Sequence, residues 1–221
     1  MAAAIRTLVW SERTEPAAIY PDGIDGAIAT GLREAGIDAT TAQLAQPDQG
    51  LGEEALSATD VLLWWSHLRH KQVTDETVDR VVRHIRERGM GFIPLHSSLN
   101  CRPLTALLGR EPSIAGWRED DCPEHLYTIE PDHPIARGLP QRIVIPKEEM
   151  YSERFDIPAP EELVFLATFA QGEVFRAGCC WTRGNGRVFY FQPGHETNRV
   201  YDQPEIRHIL ANATRWAAHR D

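Results

Sequence analysis

The chain has 221 residues, with an apolar fraction of 42% and a charged fraction of 25%, as in ordinary folded globular proteins. These values exclude a disordered chain, a collagen and a coiled coil. The 23 basic and 32 acidic residues give a formal net charge of -9, which argues against a nucleic-acid partner, because binding to a phosphate backbone needs a basic surface.

The N-terminal sequence lacks the basic head and long apolar stretch of a secretory signal peptide. No apolar run reaches the roughly 18 residues that a membrane span needs. We therefore expect a cytoplasmic protein without a membrane partner. In that reducing compartment the cysteines, at positions 101, 122, 179 and 180, are expected to be buried free thiols.

The first half of the chain predicts strands alternating with helices. Strands are predicted at residues 5–10, 38–44, 60–65 and 91–95, and helices at 22–35, 75–88 and 98–108. The helix at 75–88 has the clearest limits, with Thr74 as its N-cap and Gly89 as its stop. Such alternation predicts a parallel sheet with helices on both faces.

The second half of the chain is less regular. Residues 110–162 are rich in proline and charge, with strand-like pieces at 125–130 and 142–146, and predict an irregular insertion over the sheet rather than a second domain. Strands follow at 163–168, 174–181 and 187–191, and a closing helix starts at Pro204. Gly184-Asn185-Gly186 predicts a hairpin turn between the last two strands. We expect one domain over residues 1–221.

Histidines follow three of the predicted strands. His67 and His70 come after the strand at 60–65, His96 after the next one, and His195 and Glu196 after the last. Ligands of open parallel sheets bind beyond the carboxyl ends of the strands, where loops can bring such residues together. Three imidazoles with a carboxylate or water suit a divalent ion.

The predicted metal ligands are therefore His67, His96 and His195. Zinc is the preferred ion, with manganese or nickel as alternatives. His67 is chosen over His70 because it lies nearer the end of its strand. The competing interpretation is that these histidines are ordinary polar loop residues. Cys122 and His125 also have a ligand-like spacing, but no second pair accompanies them and the segment is interpreted as a loop.

Acidic and aromatic side chains supply further candidates. The run Glu148-Glu149-Met150-Tyr151 follows an apolar strand, and Glu149 there, like Glu196, is a candidate general base. Tyr151, Trp65 and Trp117 are candidates for binding a sugar ring with their flat faces. A solvated loop and core packing are the respective alternatives.

Residues 91–98 read as a strand, a sharp turn and a helix, which is the arrangement of a nucleophile elbow. The residue at the turn is His96, and Pro94 and Ser98 stand where the glycines of an elbow are expected. A nucleophilic Ser97 or Ser98 is therefore disfavoured. No glycine-rich dinucleotide or phosphate-binding motif is present, so a nicotinamide dehydrogenase and an NTPase are disfavoured too.

Five segments of the sequence resemble the ThuA-like trehalose-utilisation family, over about residues 5–218. They are DVLLWWSHLRH, GMGFIPLHSS, EEMY, VFRAGCCWTRGNGRVFYFQPGHET and ILANATRW. The resemblance implies an α/β fold similar to class I glutamine amidotransferases, a flavodoxin-like three-layer α/β/α sandwich. Amidotransferases have a cysteine at the elbow, whereas this chain has His96, so glutamine hydrolysis is not expected.

The resemblance also implies a role in the catabolism of trehalose and related disaccharides, beside a dehydrogenase that makes 3-keto-sugars. Our hypothesis is that a metal at the three histidines polarises the ketone of a 3-keto-glycoside. Glu149 or Glu196 would then remove the proton next to that ketone, leading to cleavage or isomerisation. His96, Glu149, His195 and Glu196 are the predicted catalytic residues.

Two other functions stay open at this point. One is a non-catalytic sugar-binding or regulatory module on the same fold. The other is a hydrolase that uses Ser97 with His195 and Glu196. The expected partner is a small carbohydrate, and a twofold homodimer is the default assembly.

Overall fold

The first half of the chain alternates strands and helices as predicted. In the computed structural model, which describes residues 4–220, the strands of this half pair in parallel in the order β2-β1-β3-β4. The elements are β1 (Arg6–Ser11), α1 (Gly23–Glu34), β2 (Asp38–Gln43), α2 (Glu53–Ser57), β3 (Val61–Trp65), α3 (Asp75–Arg88), β4 (Gly91–Leu95) and α4 (Arg102–Leu108).

The second half completes a nine-stranded mixed sheet in the order β2-β1-β3-β4-β11-β10-β9-β6-β7. Its elements are β5 (Gly116–Arg118), β6 (Glu124–Thr128), β7 (Arg142–Ile145), β8 (Met150–Ser152), β9 (Glu162–Thr168), β10 (Val174–Arg183), β11 (Gly186–Phe191) and α5 (Pro204–Ala217). Strand β11 is parallel to β4 and antiparallel to β10. The predicted three-layer arrangement of a mainly parallel sheet between helices is confirmed.

The structure refines the prediction for residues 110–162. Strands β6 and β7 of this segment extend the main sheet, because β6 pairs with β9. Alternate residues of β6 are buried, so one of its faces packs on the core as a sheet strand does. The rest of the segment is irregular as expected, apart from a small two-stranded sheet that joins β5 to β8.

Local signals fix the helix limits. The Thr74 hydroxyl accepts the N–H of Thr77, and Gly89, at φ 82°, ends α3 in the left-handed region. The helix predicted at 98–108, with Pro103 as its alternative start, begins at Arg102, since Pro103 lies in its first turn and a 3₁₀ turn precedes it. No helix among residues 4–220 is long and apolar enough to cross a membrane.

Large apolar side chains pack on both sides of the central strands. Every residue of β3 and β4 is buried, and Trp10 stacks on Trp64 with ring centroids 3.9 Å apart. All four cysteines are free thiols; Cys101, Cys179 and Cys180 are buried as expected, while Cys122 is half-buried. This rigid centre holds the carboxyl ends of β1, β3, β4 and β11 at one edge, where the predicted site residues follow.

Candidate metal centre and active site

His96 occupies a sharp turn directly after β4. Its φ of 53° lies in the left-handed region, which a residue other than glycine adopts only when its surroundings impose it. The ring Nδ1 lies 2.8 Å from the carbonyl oxygen of Gln192, and because a carbonyl can only accept, Nδ1 carries the proton. The ring is thus fixed with Nε2 facing Glu149, and the sharp turn predicted after β4 is present.

The loop after β11 carries His195 and is held by a buried carboxylate. Glu148 accepts the backbone N–H groups of Gly194 at 2.8 Å and His195 at 3.1 Å. It also accepts the N–H of Glu149 at 2.8 Å. One side chain therefore fixes the two backbone segments that present Glu149 and His195. The sequence analysis noted Glu148 within its run but gave it no role.

Three buried side chains converge at this edge of the sheet. The nitrogen and oxygen donor atoms of His96, Glu149 and His195 all lie within 4.8 Å of one another. Glu149 Oε2 is 2.9 Å from Nε2 of His96 and 3.5 Å from Nδ1 of His195. Yet this oxygen and both ring nitrogens of His195 make no hydrogen bond within residues 4–220.

Buried polar atoms are nearly always hydrogen-bonded, so these buried atoms, which contact one another without hydrogen-bond geometry, call for an explanation. Two imidazoles and a carboxylate that face a common point form a donor set that zinc, manganese and nickel accept. The Nδ1–H of His96 is already held by a carbonyl, as is usual for a ligating histidine. The residues therefore fit a divalent cation.

Mutual contacts shift the pKa values of these groups strongly. Burial favours the neutral ring of His195, but the carboxylates of Glu149 and Glu196 outweigh it and raise the pKa of His195 to about 10. Burial raises the pKa of Glu196, whereas contact with His195 outweighs it and lowers that pKa to about 2. The pKa of Glu149 falls well below its usual range, because contacts with His195 and His96 outweigh the effect of burial. In the absence of a metal, His195 thus carries a proton that a divalent ion would displace.

The structure places Glu149, rather than the predicted His67, beside His96 and His195. His67 Nε2 lies 3.2 Å from Glu196 Oε1, and its Nδ1 lies 3.2 Å from Ser97 Oγ. His67 therefore contacts the site through Glu196. His70 points elsewhere, with its Nδ1 2.9 Å from Ser66 Oγ. The preference for His67 over His70 agrees with this geometry, although its place is behind Glu196.

The serines after β4 are not arranged as nucleophiles. The hydroxyl of Ser97 donates to the carbonyl of Ser66 at 3.0 Å, and that of Ser98 donates to Trp64 at 3.1 Å. A nucleophilic serine must instead give its proton to a base. The Ser97 oxygen contacts His67 rather than His195, so the hydrolase arrangement considered from the sequence is not formed.

The three aromatic candidates differ in their access to a ligand. Tyr151 is buried and stacks on His96, with ring centroids 5.1 Å apart and its hydroxyl 3.5 Å from Nε2. Trp65 is fully buried and donates its indole N–H to the carbonyl of Gly194. Both support the site from within the protein. Trp117, which pairs in register with Tyr151, is 62% exposed and presents an open face.

An acidic cavity of about 360 Å³ opens over His195. Its lining comprises Glu119, Asp120, Asp121, Glu148, Glu149, His195, Thr197 and Asn198. Glu119 Oε2 lies 3.7 Å from His195 Nε2. Sequence reasoning missed Glu119, because it lies in the irregular segment after β5 with no motif around it. The nearby cations are already paired, Arg118 with Asp120 and Lys147 with Asp121.

A second group of donor atoms, in His133, Glu162 and Cys180, has an ordinary structural explanation. Nδ1 of His133 accepts the backbone N–H of Ile135 at 3.1 Å, so the proton of the neutral ring lies on Nε2. That N–H faces Glu162 at 3.1 Å. No ring lone pair is left for a metal. Cys122 and His125 belong to neither group within the described residues; Cys122 lies in a loop as predicted, whereas His125 lies in β6.

Glu124, near Glu148, is a fully buried carboxyl group, and neither of its oxygens is hydrogen-bonded within residues 4–220. Burial, and then the nearby Glu148, raise its pKa well above the usual value of 4.5. The Glu124 carboxyl therefore ionises at a lower pH in the unfolded chain than in the folded chain. As the pH rises above the unfolded-state pKa, this difference lowers the free energy of unfolding, until the folded-state pKa is reached.

We therefore expect the melting temperature of Glu124→Gln, relative to that of the wild type, to be higher at pH 8 than at pH 5. Thermal melting of both proteins at the two pH values measures this difference, in which any pH-independent cost of the amide cancels. Glu54→Gln, at an exposed position of α2, removes the same charge as a control. A pH-independent effect of Glu124→Gln would show that Glu124 is ionised in the folded protein.

Comparisons with known proteins agree on one family and one fold. The sequence model of the ThuA family, described as trehalose utilisation, matches residues 6–217. No curated protein is significantly similar in sequence. Among solved structures, a protein named as ThuA-like from Parabacteroides merdae has 17% identity and a TM-score of 0.74, covering 98% of this chain and 90% of that one.

Two further structures extend the fold comparison. A cytoplasmic protein of Salmonella typhimurium has 12% identity and a TM-score of 0.70, with 96% of this chain and 99% of that one covered. A protein of Thermoplasma acidophilum, named as part of a GMP synthase, has 12% identity and a TM-score of 0.59, with 97% of each chain covered. At these identities the likeness shows the fold alone.

Proposed function

The chain belongs to the ThuA family of trehalose utilisation, and on that premise we propose that it is a metal-dependent enzyme acting on 3-keto-disaccharides. The reaction would begin with removal of the proton next to the ketone. Cleavage of the glycosidic bond or isomerisation of the sugar would follow. The proposed setting is cytoplasmic carbohydrate catabolism, with no glutamine amidotransferase activity because His96 stands at the elbow.

The observation that carries this proposal is the convergence of His96, Glu149 and His195. The converging donor atoms of these buried side chains would hold a divalent ion, with zinc preferred and manganese or nickel as alternatives. A cation there stabilises negative charge on a ketone oxygen. Removing a proton beside a ketone is difficult without such stabilisation.

Glu196 is the proposed base. Its side chain is ionised at neutral pH, since contact with His195 lowers its pKa to about 2, and its Oε2 faces Nδ1 of His195 at 3.3 Å without hydrogen-bond geometry. His67 contacts the other oxygen, Oε1, at 3.2 Å and so orients the carboxylate. Glu149, the other candidate base, is assigned to the metal because its Oε2 lies between the two imidazoles.

The proton transfer follows from these positions. The Glu196 carboxylate accepts the proton from the carbon beside the ketone, and the electron pair left behind moves to the ketone oxygen. When the pair returns, the bond to the glycosidic oxygen breaks and that oxygen takes the proton from Glu196; alternatively, Glu196 returns the proton to another carbon and gives an isomer. Trp117 lies on β5, which pairs with the strand of Tyr151, and its exposed face would stack on a sugar ring.

We expect Glu196→Gln to lower turnover of a 3-keto-disaccharide by about 100-fold or more, while the metal content stays near that of the wild type. Glu149→Gln should lower both the turnover and the metal content, because it removes a proposed metal ligand. Metal analysis beside an assay for released sugar or isomer measures the two effects. Glu87→Gln, at an exposed position of α3, is the matched control.

Metal-loaded wild-type protein that neither cleaves nor isomerises any keto-disaccharide would contradict the enzymatic proposal. If such protein still bound the sugar, and Glu196→Gln bound it equally well, a sugar-binding module would be supported instead. The assignment of Glu196 as base fails if its glutamine variant keeps full turnover.

A further inference from the structure

A cleft of about 920 Å³ lies away from the cavity at His195 and shares no lining residue with it. One wall is the loop from Leu68 to Gln72, which follows β3. The other wall runs from Asn100 into α4. The volume is in the range of clefts that bind small molecules. Nothing in the proposed reaction uses this cleft.

The lining of the cleft is positively charged in a protein that is acidic overall. It contains Arg69, Lys71 and Arg102, with Glu111 as the one carboxylate among its lining residues. Arg102 is paired with Asp75. Arg69 and Lys71 are exposed and form no ion pair with any carboxylate of residues 4–220. Two adjacent cations without counter-ions are suited to an anionic group.

The backbone that carries these cations is held in place. The buried carboxylate of Glu12 accepts the N–H groups of Leu68 at 2.5 Å and Arg69 at 2.9 Å. The carbonyl of Gln72 accepts the side-chain amide of Gln49 at 2.7 Å. The wall is thus formed before any ligand arrives, which lowers the entropic cost of binding.

The cleft also exposes an apolar surface. Leu68 is 70% exposed, and Val78 and Ala106 contribute to the same lining. Burial lowers the pKa of His70, the remaining titratable group of the loop, so its ring adds no charge at neutral pH. A ligand that fits this surface has an anionic group at one end and an apolar body at the other.

We propose that this cleft is a second ligand site, which binds a small anion with an apolar body. The anionic group, a phosphate or a carboxylate, pairs with Arg69 and Lys71. The apolar body packs against Leu68. This site is separate from the metal group, and its occupancy does not depend on the reaction proposed above.

Calorimetric titration in Tris-chloride at low ionic strength tests the proposal with three probes: phenyl phosphate, benzoate and inorganic phosphate. We expect saturable binding of phenyl phosphate or benzoate, and the better of the two identifies the anionic group. Inorganic phosphate should bind more weakly because it has no apolar part. The double variant Arg69→Ala/Lys71→Ala should weaken binding by about tenfold or more.

Two further variants make the test specific. Arg137→Ala/Arg142→Ala removes two exposed positive charges elsewhere on the protein and should leave binding unchanged. Leu68→Ser should weaken the binding of phenyl phosphate or benzoate and leave the binding of inorganic phosphate unchanged. The proposal is overturned if no probe binds saturably up to about 10 mM, or if the Arg137/Arg142 variant loses binding as much as the Arg69/Lys71 variant.

Discussion

Replacing His96 with asparagine is expected to lower the affinity for a divalent ion by at least about 100-fold, which exceeds the usual effect of losing a residue that only supports a ligand. Turnover should fall with it. Asparagine is chosen because His96 has a φ of 53°, and asparagine tolerates this left-handed conformation better than alanine. The fold should therefore survive while the ligand nitrogen is lost.

Metal content by mass spectrometry, on protein purified without chelator or metal resin, measures this effect. Near-stoichiometric zinc, manganese or nickel in the wild type and its absence in His96→Asn would support the metal centre. His208→Asn, at an exposed position of α5, should retain the metal. Wild-type protein that is folded, free of metal and still binds a sugar would contradict the metal proposal.

Replacing Gly194 with alanine is expected to destabilise the protein by about 2–6 kcal/mol, from backbone strain and overpacking together. Gly194 has a φ of 146°, and a Cβ there would lie 2.0 Å from the hydroxyl oxygen of Tyr201 and 3.2 Å from Cβ of His96. Since Tyr201 is buried, we expect relief of this overlap to move the loop away from Glu148 and Trp65, and His195 with it. Metal affinity should fall in parallel.

Denaturant unfolding of Gly194→Ala beside Gly172→Ala separates the two causes. Gly172 also has a positive φ, of 92°, but a Cβ there would meet nothing within 4 Å. It therefore reports the backbone strain alone, and we expect it to cost much less. Equal losses in the two variants would show that the contact with Tyr201 relaxes easily and that the loop of His195 is not tightly held.

The sequence predicted the parts of the site that follow regular strands. His96 and His195 were found because buried strands end just before them, and because carboxyl ends of parallel strands share an edge. The order of strands and loops does not determine the direction in which a side chain of a loop points. His67 follows the end of β3 by two residues, much as His96 directly follows β4, yet its ring turns towards Ser97 and Glu196.

The residues of the irregular segment were harder to place. Glu119 reaches the site because it follows β5, which pairs with β8, and this pairing joins distant positions by backbone hydrogen bonds that no periodicity reveals. Glu148 acts by accepting backbone N–H groups from the loop of His195, and such a role has no local sequence signal. Likewise, β6 has the alternation of a strand, but nothing in the sequence states which strand it joins.

The position of β11 between β4 and β10 has a consequence for how the protein is made. The chain is synthesised from its N-terminus, so β4 leaves the ribosome long before the strand that covers its edge. An uncovered apolar edge invites pairing with another chain. Because β11 also delivers His195, the step that closes this edge is the step that brings together the three proposed metal ligands. A nascent chain therefore cannot assemble the three-ligand site before its sheet is sealed.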